Sequence, residues 1–80
     1  MVRPRGESVS ISRSEIRSLA DALAPLIARF PSRARAAESM GLSDGSIAKI
    51  VRRPASLSIS RVVLDDLGRA TGIDTSRFGA

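Results

Sequence analysis

The side chains in this sequence best suited to chemistry are cations. Arg29, Arg33, Arg35, Lys49, Arg52 and Arg53 crowd the middle of the chain, where the only carboxylates are Glu38 and Asp44. A guanidinium offers a planar fork of donors that matches phosphate oxygens and the guanine edge, and an ammonium is a compact donor for the same acceptors. Such a cluster suits binding to a polyanion better than making or breaking bonds; the bland alternative is a solvated basic face. Twelve of the thirteen basic residues are arginine, a bias that a GC-rich genome also produces, so their arrangement matters more than their number. Covalent catalysis has little to draw on. With no cysteine and no histidine there is no thiolate, no imidazole base, no disulfide and none of the usual zinc sites. Asp65 and Asp66 are adjacent, point in different directions on a helix, and read as a solvated face rather than an acid and base pair. Neither an enzyme nor a cofactor, metal or small-molecule ligand is expected.

The elements that position the cations must come from one small domain. The chain has 80 residues, 42% hydrophobic and 26% charged, which is enough to build a modest core. Its formal charge is +5 and its isoelectric point is near 11.5, the balance of a chain that meets a polyanion. The longest nearly apolar run, Leu19 to Phe30, is broken by Asp21, Pro25 and Arg29, too short to span a membrane. No secretory signal is visible, so a place in the cytosol or on the nucleoid is expected. Phe30 and Phe78 are the only aromatic residues, leaving little to stack on unpaired bases, so duplex DNA is favoured over single strands or RNA.

Along the chain, residues 1–12 read as a basic arm with Arg3 and Arg5, running into an extended stretch where Val9 and Ile11 alternate with Ser8, Ser10 and Ser12. Ser12 and Glu15 have the spacing of a capping box. The helix they start carries an apolar face from Ile16 through Leu19, Leu23 and Ile27 to Phe30, with a kink or break near Ala24 imposed by Pro25. Ser32 caps a short second helix from Arg33 to Met40, ended by Gly41. Ser43 caps a third, reaching about Arg52, with Ile47, Ile50 and Val51 inward. After a loop from Ala55 to Ser58, Ser60 caps a fourth, closed by Thr71 and Gly72. The expected fold is all-α: a compact bundle of four to five helices over residues 13–74, with a short tail over 75–80.

Two short helices joined by Gly41-Leu42-Ser43 have the form of a helix-turn-helix. Ala37 is small enough for a close crossing, Gly41 suits the turn, and Leu42, Ile47 and Ile50 bury one helix against the other. The stretch from Ser32 to Arg53, SRARAAESMGLSDGSIAKIVRR, resembles the phage Cro and lambda-repressor helix-turn-helix family, and the likeness runs from about Ser14 to Asp74. It implies a helical bundle that binds an operator in double-stranded DNA as a homodimer. It also places base readers at Asp44, Gly45, Ser46 and Lys49, and phosphate contacts near Arg52, Arg53 and Ser56. The family commonly has Gln at the start of the second helix, bracing a base-reading side chain, where this chain has Arg33.

In chemical terms, Lys49 can donate to guanine O6 and N7, and Asp44 can accept from a cytosine amino group. Asp44 is equally explained by the helix macrodipole, and Gly45 by tolerance at an exposed first turn as well as by close backbone approach to bases. Ser46 can touch a base or a phosphate, Ser43 belongs to the same N-terminal turn, and Arg33, Arg52 and Arg53 suit phosphates. The expected function is a sequence-specific transcriptional regulator of phage or prophage type. Its rivals are a protein-interaction module, such as a small antitoxin or anti-repressor, and a non-specific architectural DNA binder.

Overall fold

The computed structural model describes residues 7–79; the arginines of the basic arm, Arg3 and Arg5, lie outside them. The order of elements is β1 (Ser8–Ser12), α1 (Arg13–Ile27), α2 (Arg33–Met40), α3 (Asp44–Val51), β2 (Ser56–Ser60) and α4 (Arg61–Thr71). The architecture is α+β, which corrects the all-α expectation. The extended stretch at the start of the domain and the segment expected to be a loop pair as an antiparallel ribbon, with Val9 opposite Ile59, Ser10 opposite Ser58 and Ile11 opposite Leu57.

The reason lies in a repeat. Residues 8–13 read SVSISR and residues 56–61 read SLSISR. The first five residues of each alternate serine with an aliphatic residue, so one face of each strand is apolar and the other hydroxylated. Ile11 and Ile59 are buried on the inner face, while Ser8, Ser10, Ser12, Ser56 and Ser58 are exposed on the outer one. In both copies the last serine also caps the helix that follows. Ser12 Oγ accepts the Glu15 amide and Ser60 Oγ the Val62 amide, so strand passes into helix without a linker.

The apolar faces of α1 and α4 and the inner face of the ribbon enclose one core, in which Ile11, Ile16, Leu19, Leu23, Ile50, Leu64 and Leu67 are fully buried. Pro25 falls in the last turn of α1 and does not break it: the helix runs on to Ile27, and the Ala28 amide bonds to the Ala24 carbonyl at 3.1 Å. Phe30 lies beyond the helix in the following turn, half-buried.

The segment after α4 belongs to the body. Thr75 is buried and its hydroxyl donates to the Leu64 carbonyl, while the Arg61 guanidinium donates to the carbonyls of Thr75, Ser76 and Phe78. Gly68 makes this close approach possible, because a Cβ there would stand 2.6 Å from Thr75 Oγ1 and 2.9 Å from the Ile73 carbonyl oxygen. Gly79 lies against the outer edge of β1, where a Cβ would meet Val9 and come within 3.2 Å of the Ser10 carbonyl oxygen. No described helix is long and apolar enough to cross a membrane.

Candidate nucleic-acid interface

The junction of α2 and α3 sets the geometry of the basic region. Gly41 adopts a left-handed conformation, φ 72°, ψ 25°, which a residue with a Cβ rarely takes. Its amide bonds to the Glu38 carbonyl at 3.2 Å and the Leu42 amide to the Ala37 carbonyl at 2.9 Å, the paired bonds of a Schellman ending. Two residues later Ser43 caps α3, its Oγ accepting the Ser46 amide at 3.2 Å and lying 2.8 Å from Ser46 Oγ. Ala36 and Ala37 of α2 and Ile47 and Ile50 of α3 are fully or almost fully buried. Small residues on one helix and β-branched ones on the other fix α3 with its opposite edge outward.

That outward edge carries Gly45 and Lys49, both exposed, with Ser46 partly so and Arg52 exposed just past the helix. Lys49 and Arg52 make no ion pair among the described residues. Their charges face solvent uncompensated, as a polyanion ligand requires.

Arg33 and Asp44 are joined to each other. Arg33 Nε donates to Asp44 Oδ1 at 2.7 Å and Nη2 to Oδ2 at 3.3 Å, a two-point link between the first residues of α2 and α3. The hydrogen bond from Arg33 is the chief cause that holds the Asp44 carboxyl below the usual carboxylate range, and the same bond raises Arg33. The link leaves the Arg33 Nη1 donors without a partner among the described residues. An arginine at the start of α2 thus braces the first residue of α3.

Arg53 is drawn elsewhere. It has a left-handed backbone, φ 54°, and its Nη1 lies 2.7 Å from Asp21 Oδ1 on α1. The pairing turns its charge toward the body of the domain, while Ser56 is exposed at the start of β2. Of the nine residues singled out in the sequence, Asp44, Gly45, Ser46 and Lys49 thus share α3; Ser43 and Arg33 support its first turn, and Arg52, Arg53 and Ser56 follow it.

The sequence reading missed the ribbon beside α3. Ser46, Lys49, Leu57, Ser58, Ile59, Ser60 and Val63 line a groove of about 200 Å³ between α3 and β2. The alternation of serine and aliphatic residues in SLSIS was the available signal. Among the described residues no group of three or more carboxylates could hold a metal ion. Comparison of the chain with protein-family models, with curated proteins and with solved structures gives no match.

Proposed function

We propose that this protein is a sequence-specific double-stranded DNA-binding transcriptional regulator, similar to the Cro and lambda-repressor proteins, acting in the bacterial cytoplasm as a homodimer and without catalysis. The observation that carries the reading is the outward presentation of α3: buried Ile47 and Ile50 hold it by one edge while Gly45, Ser46 and Lys49 occupy the other. A short helix so held fits the major groove, which is about 12 Å wide. Lys49 donates to the guanine edge in this reading, and Arg52 and the free donors of Arg33 hold phosphates. Asp44 acts through Arg33, steadying the first turn rather than reading a base alone.

One helix in one groove seldom supplies enough specific affinity, so two half-sites about 34 Å apart are expected. Selection of bound sites from random duplex DNA tests both parts at once. Enrichment of a two-fold symmetric site is the expected outcome. Recovery of no preferred sequence overturns the specific regulator.

A further inference from the structure

We propose that the open edge of β2 pairs with β2 of a second copy of this chain, antiparallel and centred on Ser58, so that two ribbons join as one four-stranded sheet. This inference rests on the homodimer of the preceding reading and is independent of what α3 binds.

The hydrogen-bond parity of the ribbon shows which groups are available. The Arg61 amide bonds to the Glu7 carbonyl at 2.8 Å, extending the ladder by one pair. Hydrogen-bonded pairs alternate in an antiparallel ladder, so residues 9 and 11 bond to 59 and 57, while the amide and carbonyl of Ser58 point away from β1. Those two groups have no partner among the described residues. The two outer edges differ: that of β1 is covered by Gly79, and that of β2 borders the groove beside α3.

The occupant follows from the sequence of the strand. SLSIS is nearly its own mirror: paired antiparallel about Ser58, it sets Leu57 against Ile59 and serine against serine. The chain already realises this register once, between β1 and β2, where aliphatic residues share the inner face and serines the outer. A second β2 therefore continues an existing interface with the same chemistry. Around the same edge, Leu57 and Val63 are half-buried and line that groove. The axis of such a pairing stands perpendicular to the sheet. Because Ile50 of α3 joins the core beneath the inner face, both α3 helices lie on the same side of the joined sheet.

The experiment uses the full chain. Sedimentation equilibrium of the wild type is expected to show a monomer–dimer equilibrium. Ser58→Pro removes an amide that faces away from β1, a position where an edge strand tolerates proline, and is expected to weaken association at least about tenfold. Cross-linking through Ser58→Cys keeps the question decidable if the proline variant does not fold. Directly opposed residues of a hydrogen-bonded pair stand about 5.5 Å apart at Cα, within disulfide range, so Ser58→Cys is expected to oxidise to a linked dimer in this cysteine-free chain. Ser10→Cys, on the covered edge, is expected not to. A wild type that stays monomeric at all concentrations overturns the interface, as do a dimer indifferent to Ser58→Pro and equal cross-linking at positions 10 and 58. Site selection on DNA is a separate readout, so failure of the interface and failure of the DNA reading are distinguishable.

Discussion

The cations around α3 fall into two groups by whether a carboxylate already holds them. Lys49 and Arg52 have no ionic partner among the described residues, whereas Arg53 is tied to Asp21 and Arg33 to Asp44. Lys49→Ala is therefore expected to weaken binding to the selected site by about 1–3 kcal/mol and to relax one base preference. Arg52→Ala is expected to weaken all DNA similarly and to flatten the salt dependence by about one unit of slope. Arg53→Ala should cost less affinity than Arg52→Ala, since its guanidinium must leave Asp21 before it meets a phosphate. Titrations of the three variants at several salt concentrations check the ranking; equal losses would remove the distinction. The Arg33–Asp44 link has its own signature. A carboxyl whose folded pKa is lowered stabilises the fold above its unfolded pKa and loses that contribution as pH falls through the lowered value. Melting curves of the wild type and Asp44→Asn should thus converge in strong acid and separate as the pH rises through the ordinary carboxylate range, with the wild type the more stable. Residue types at the site were legible in the sequence, because charge and helical spacing are local properties. These pairings were not: they join positions 11 and 32 residues apart, brought together only by the packing of the helices.

Helix boundaries were legible for a related reason. Ser12 with Glu15, Ser32, Ser43 and Ser60 at the starts, and Gly41 and Gly72 at the ends, act through backbone groups within a few residues of themselves. The ribbon escaped because pairing is non-local and because serines after Pro54 also suit a loop. The SxSISR repeat was visible, but only a partner strand gives its alternation a meaning. Glycines within the helices show the same contrast. A methyl group at Gly45 would meet nothing within 4 Å, whereas at Gly68 it would collide with Thr75 and the Ile73 carbonyl. Gly45→Ala should raise stability by up to about 1 kcal/mol, and Gly68→Ala should lower it by about 1–3 kcal/mol despite its better helix propensity. For a domain of this size each kcal/mol is roughly 4–8 °C in Tm, so thermal melts separate the two variants. A Gly45→Ala protein that is more stable yet weaker on DNA would mark that position as one of close approach.

At the scale of the whole molecule, the segment set apart in the sequence as a tail is part of the folding unit. Arg61 holds three of its carbonyls, Thr75 is buried within it, and Gly79 lies along β1. Truncation after Asp74 is expected to cost on the order of 3 kcal/mol, a large share of a small domain's stability, and chemical denaturation of the truncated and full chains measures it. The ribbon binds the ends of the domain in another way. Ile11, near its start, is paired with Leu57, which lies 46 residues later. A nascent chain emerging from the ribosome thus carries α1 with its greasy side incompletely covered until the second strand and α4 have been translated. The time between those two moments sets how long the newborn protein depends on chaperones or on luck.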